Sequence, residues 1–513
     1  MPSSSLRHVI VLCSLAAGIV AGQAQSASVG LPVPPKAPPA GAPPPQLSPT
    51  EQWIKNAKAP ASWFSWGADL RIRDEYYDNI VSLTDNARWS AQNVIRFRGR
   101  VWASATPAEG VSLNARVAAE PREWTRPAFT GNYRHPNGPG GADDTGGQGM
   151  EWRYGIIDSL NLKWTNAFGA PLSLTLGRQD MMFGDYWNWW LVADGTPGDG
   201  SWTYFLDSAR ATLDAKEIKT KFDLVYLYQN ARPDAWLPTL DDPGPSIDNA
   251  AGYGLTEQNE QGVILYASNK SLNNTTIDGY FIYKGDDKEF ANGDDADIYT
   301  FGAKIAGALA EHWSYSLEGA YQLGNKKDPT VKTPVDVSGK RRDINAYGGN
   351  ARLSYLFKDP LNNQAHLVYE YLSGDDPDTQ GDDEMFDVLW GRWPRFSELY
   401  IYSYAAETSG KVAQANNIQR IGAGWTMSPA KDLHLGAYYN AWFAPQETPT
   451  RALDSTLFSK NGDFRGHFLQ SVLTYTISRH VKAHLWAEFV WPGDYYASRD
   501  FMMFLRPEIY LTF

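Results

Sequence analysis

Arginine returns at every second position in two stretches, as Arg71 and Arg73 in "ADLRIRDEY" and as Arg96, Arg98 and Arg100 in "VIRFRGRVWA". In an extended chain residues i and i+2 point to one side, roughly 7 Å apart. Such guanidiniums form ladders of fixed, bidentate donors for carboxylate or phosphate groups. Arg116, Arg210 and Arg352 hold the same polar parity in later segments, as do Lys163, Lys304, Arg420, Lys482 and Arg506. Acids of that parity are fewer: Asp69, Glu75, Glu120, Glu318, Glu370, Glu488 and Glu508. Two roles fit the pattern. The arginines could focus a field on a passing anion, or they could pair with Asp69, Glu75 and neighbouring acids in an internal ladder.

A second constellation is "DPDTQGDDEMFD". Asp376, Asp378, Gln380, Asp382 and Asp387 fall at the offsets of a calcium-binding loop, although Asp387 stands where a bidentate Glu belongs. No other cofactor is expected, and the ordinary reading of this stretch is a solvated acidic loop. Aromatic-rich "FGDYWNWW" (Phe183 to Trp190) offers flat rings on which sugars stack, or simply interface packing. No catalytic residue emerges. HExxH, GxSxG and phosphate-loop motifs are absent, and the eight histidines are scattered. Carboxylates are plentiful, so a glycosidase pair within a membrane-barrel enzyme stays as an alternative.

The elements that carry these residues are strands. "WGADLRIRDEY" sets Trp66, Ala68, Leu70 and Ile72 against Asp69, Arg71, Arg73 and Glu75, and similar alternation recurs to the last residue, Phe513. "FDLVYLYQ" and "DGYFIYK" alternate poorly, which leaves their facing open. Short links such as "TPAEG", "SPA" and "SRH" alternate with long ones such as 121–152, 180–204, 229–258 and 374–415. That rhythm belongs to an antiparallel up-and-down transmembrane β-barrel of about eighteen strands, all-β, with short periplasmic turns and long extracellular loops. Its last strand, ending in Phe513, closes the sheet against the first. Aromatics reach 13%, with 20 Trp and 28 Tyr, as two membrane interfaces require.

Residues 1–24 read as a secretory signal peptide that removes the only cysteine, Cys13. Residues 25–62 read as a Pro-rich periplasmic tether, free to meet a periplasmic partner. It ends in a short helix opened by a capping box at Ser48 and Glu51. The barrel then occupies 63–513, in lipid of a Gram-negative outer membrane. The formal charge of −12 lies in loop-like runs such as "KGDDKEFANGDDAD", and no basic face suits nucleic acid.

"LTLGRQ" (Leu174 to Gln179) followed by "FLDSARATLD", then "YSLEGAYQLG", "YEYLSGDD" leading to "FDVLWGRWPRFSELY", and "FVWPGDYY" resemble the alginate-export family of outer-membrane barrels in type and order. The resemblance spans about Trp63 to Phe513. It implies an eighteen-stranded barrel passing an anionic polysaccharide or oligosaccharide along an arginine-lined lumen, with Arg71, Arg73, Arg96, Arg98, Arg100, Arg116, Arg210 and Arg352 on the path. Uptake of small anions or oligosaccharides by a porin is the alternative.

Overall fold

A computed structural model describes residues 47–513 except 81, 88–89, 127–149, 152–154, 184–204, 233–235, 238–239, 241–255, 328–340, 392–396, 398–405 and 412–413. The signal segment, most of the tether and residues 184–190 of the aromatic run therefore lie outside the described residues.

The chain enters through α1 (Pro49–Lys58). The expected capping box is complete, with Glu51 N–H donating to Ser48 Oγ (3.3 Å) and Ser48 N–H to Glu51 Oε2 (2.8 Å). Eighteen strands follow. β1 is Phe64–Asp78, β2 Ala91–Ala108, β3 Val111–Ala119, β4 Ile156–Trp164, β5 Leu172–Gln179 and β6 Leu206–Ala215. β7 is Thr220–Gln229, β8 Gln258–Asn269, β9 Thr275–Lys288, β10 Asp295–Ala308, β11 Trp313–Lys327 and β12 Arg341–Leu356. β13 is Gln364–Leu372, β14 Ile418–Ala430, β15 Leu433–Phe443, β16 Phe464–Ser478, β17 Val481–Pro492 and β18 Met502–Thr512. Each pairs antiparallel with its neighbour, and β18 pairs with β1, so the sheet closes. Closure leaves no row of unpaired amides to face hydrocarbon.

Eight links gather at one end as tight turns, and nine loops gather at the other. Around the wall one parity faces lipid and the other the lumen. In β1, Trp66, Leu70 and Ile72 point outward, while Asp69, Arg71, Arg73 and Glu75 are buried inside. Aromatic residues mark both edges of the lipid-facing band. Trp313 and Tyr321 on β11, and Tyr355 and Tyr347 on β12, are eight positions apart. At a 35–45° strand tilt that separation is roughly 20 Å of height.

Closure at β1 and β18 is incomplete in one respect. Asp69 to Arg73 pair with Glu508 to Thr512, and the ladder resumes only at Tyr76 to Asp78 against Met503 to Leu505. Phe513 donates its N–H to Ala68 O (2.8 Å), which fixes the parity and sets Pro507 opposite Asp74. Proline has no N–H to give there.

Two acidic stretches depart from the solvated-loop reading. Much of "KGDDKEFANGDDAD" is strand, because Asp286 and Asp287 prolong β9 while Asp295 and Asp297 begin β10. In the long link 373–417, Asp375, Asp383 and Asp387 are buried among cations instead of facing water.

Candidate functional site in the barrel lumen

The arginine ladder forms on the lumen side of β1 and β2, completed by β3 and β18. Arg71 binds Glu120 (2.8 Å), and Arg73 binds Glu508 (2.7 Å) and Glu75 (3.2 Å). Arg96 bridges Glu75 (2.9 Å) and Glu120 (2.6 Å), and Arg100 is bidentate on Asp69. Glu120 directly precedes Pro121, whose carbonyl accepts from Phe97 N–H of β2 (3.0 Å), and its carboxylate bridges Arg71 and Arg96 from the two rows. Arg98 differs from the rest. It is buried, in register with Arg71, and makes no hydrogen bond or ion pair among the described residues. The wall therefore holds more guanidinium than carboxylate.

The other arginines of the sequence pattern also face inward, but not as one patch. Arg116 pairs with Asp158 (2.8 Å) and Asp180 (2.7 Å), and Arg210 pairs with Asp223 (2.8 Å) and lies over the Phe183 ring. Arg352 sits across the barrel, 3.1 Å from both Ser354 Oγ and His366 Nδ1. Several acids that neutralise the lumen were missed in the sequence. Asp223 and Asp278 lie on β7 and β9, whose facing the weak alternation left open. Both point inward.

Across the lumen the loop 373–417 folds into the barrel. Trp390 is fully buried and donates its indole N–H to Glu260 on β8 (2.8 Å). Gly262 makes room for it, since a Cβ there would stand 2.3 Å from the indole. Asp387 and Gln322 of β11 exchange two hydrogen bonds of 2.8 Å. Ser397 donates to Glu488 on β17 (2.9 Å), and Glu407 forms a double ion pair with Arg465 on β16 (2.6 and 2.8 Å). Phe386, Val388, Leu389 and Trp390 join one apolar cluster with Val225, Leu227, Ile264, Ile282 and Ile298 of the wall.

Charges lock this loop in place. Asp286, Asp294 and Asp387 bring carboxylate oxygens within 4.8 Å of one another, the only such acidic trio among the described residues. Cations already fill the space between them. Lys326 (2.7 Å), Lys411 (2.5 Å) and Arg451 (3.8 Å) surround Asp294, and Lys284 reaches Asp286 (3.0 Å) and Asp387 (3.5 Å). Burial works to raise Asp294, yet these cations hold it well below the usual carboxylate range. The residues at calcium-loop offsets are not brought together. Asp378 and Gln380 are exposed, Asp376 caps Asp378 N–H (2.9 Å), the Asp382 carbonyl accepts from Arg342, and Asp387 is drawn away to the lysine lock.

A closed eighteen-stranded barrel with two aromatic edges and a charged lumen entered by its own loop is a channel of the Gram-negative outer membrane. More particularly, the chain belongs to the alginate export family, whose model matches residues 62–502. Its fold is similar to that of Acinetobacter baumannii OccAB1 (TM-score 0.52, 12% identity, covering 88% of this chain and 96% of that one). OccAB2 of the same organism gives 0.52 and 12%, covering 87% and 98%. Pseudomonas aeruginosa OccK8 (OprE) gives 0.50 and 11%, covering 88% and 99%. No curated protein sequence matches this chain.

Proposed function

We propose that the channel passes carboxylated saccharides, oligomeric or polymeric and alginate-like in charge, along the wall formed by β18, β1, β2 and β3. The observation that carries this reading is the guanidinium excess on that wall, centred on Arg98. Arg98 has no direct ion pair, only the longer-range pull of Asp69 and Glu120, so in a low-dielectric wall it projects more field into the lumen than the neighbouring ion pairs, which largely cancel theirs. The turn end faces the periplasm in this reading, with α1 and the tether on that side, and the loops face outward. Uptake of small anions or short oligosaccharides is the second reading, favoured by the loop that narrows the lumen.

Reversal potentials in planar bilayers under a salt gradient test the common core of both. Wild-type channels should prefer anions, more weakly at high salt, and a uronate trisaccharide should block current where neutral maltotriose does not. Arg98→Gln should reduce preference and block together, because it strands no carboxylate. A cation-selective wild type, or uronate and maltotriose acting alike, would refute the proposal.

A further inference from the structure

The contacts of the helix α1 are selective. Of its ten residues only Ile54 is buried. Trp66 of β1 donates its indole N–H to Ala57 O (2.8 Å), and Glu51 at the other end pairs with Arg479 in the turn between β16 and β17. Ten residues span roughly 15 Å, while β17, β18 and β1 together cover about 10 Å of wall at 4.8 Å per strand. The helix therefore reaches across the strands that close the barrel. Pro507 interrupts this same seam farther up the wall, and at the turn end Thr512 N–H donates to His480 O (2.9 Å) and Phe513 N–H to Ala68 O (2.8 Å).

The contact with Trp66 also fixes the level of the helix. Trp66 has lipid-facing parity, and its ring lies 5.0 Å from that of Phe513, the two forming the turn-end aromatic edge at the seam. At 100° per residue, Trp53 projects from the same flank of the helix as Ala57, away from Glu51, Lys55 and Lys58. Trp53 is 64% exposed. An indole this bare, continuous with a membrane-facing aromatic edge, has the amphipathic character that seats Trp at the headgroup level.

We propose that α1 lies in the membrane interface at the turn end, with Trp53 inserted among phospholipid headgroups, and that from there it clasps the β1–β18 seam. The partner is the lipid of that leaflet. Ile54 supplies the contact with protein, Trp53 the contact with lipid, and Gln52 and Asn56, opposite Ile54, face water. The capping box keeps so short a helix formed at its start, and membrane contact contributes what a ten-residue helix lacks on its own.

The chain without residues 1–24 has no cysteine, so Trp53→Cys and Asn56→Cys can each carry one environment-sensitive fluorophore on the full barrel in phospholipid vesicles. The label at 53 should be quenched by nitroxide-bearing phospholipids and shielded from aqueous iodide, and the label at 56 should behave conversely. Labels that behave alike, or a label at 53 open to iodide and untouched by nitroxide lipid, would overturn the lipid contact. For the clasp, deleting residues 47–59 should lower the thermal transition of the vesicle-embedded barrel, whereas deleting 25–46 should leave it unchanged. Equal transitions for the two deletions would overturn that part.

Discussion

Truncating Trp390 to alanine tests whether the loop 373–417 sets the width of the channel. The indole is fully buried, and it is the loop's main apolar anchor on β8. Removing a buried tryptophan costs about 3–5 kcal/mol. A carboxylate that loses its donor would add about 1–3 kcal/mol. That second cost falls at the low end here, because Glu260 keeps Gln258 Nε2 (2.7 Å) and Lys284 Nζ (3.7 Å). A net loss of about 4 kcal/mol multiplies the population of the displaced loop by roughly a thousand, at 1.4 kcal/mol per tenfold. The barrel wall should survive, since its ladders do not involve Trp390. Single-channel recording in planar bilayers should therefore show a higher unitary conductance and more open-channel noise, with unchanged heat-modifiability on gels. Gly262→Leu, which pushes the indole off β8 from the opposite side, should reproduce the effect. If both variants conduct as the wild type does, this loop does not define the constriction.

Arg96→Gln should harm folding far more than Arg98→Gln. Arg96 serves Glu75 and Glu120, two buried carboxylates, and breaking such a pair costs about 3–5 kcal/mol; folded yield in vesicles compares the two. Phe513→Asp should depress assembled barrel in cells, since it loses the Trp66 ring contact and sets a charge at the lipid edge; normal yield would argue against that contact's importance. Acid should open the loop only at extreme pH. Despite burial, Asp294, Asp383 and Asp387 are all held below the ordinary 3.8 by their cations, so they stabilise the loop at any pH above that value and release it as pH falls through their lower folded values. Glu384 of the same loop is instead pushed up to about 7 by burial, so its contribution to the seated loop weakens as pH rises through that value. On the acid side conductance should rise only below 3.8; a rise on mild acidification would contradict the lock.

The barrel was legible because a half-solvated wall writes period two into the chain, and β1 to β3 follow that parity residue by residue. Their arginines lie on the inner face, though pairing with Asp158 or Asp223 depends on register between strands and cannot be read from one segment. The inserted loop was not legible directly, but its trace was. "FDLVYLYQ" and "DGYFIYK" failed to alternate because Val225, Leu227 and Ile282 are apolar residues facing inward, and they do so because Phe386, Leu389 and Trp390 pack on them. A stretch of barrel strand that is apolar on both faces marks where something dry occupies the lumen. The acids of 374–387 misled for the complementary reason: their composition is that of a solvated loop, and only the lysines and arginines of distant strands make their burial tolerable.

The two wall anchors of that loop stand nine strands apart in a ring of eighteen, Trp390 on β8 and Ser397 on β17. Only six residues separate them in the chain, so opposite walls are tied to each other covalently as well as around the ring of ladders. A hoop whose opposite sides are tied cannot spread along that diameter, so lateral pressure in the bilayer has little purchase on the bore.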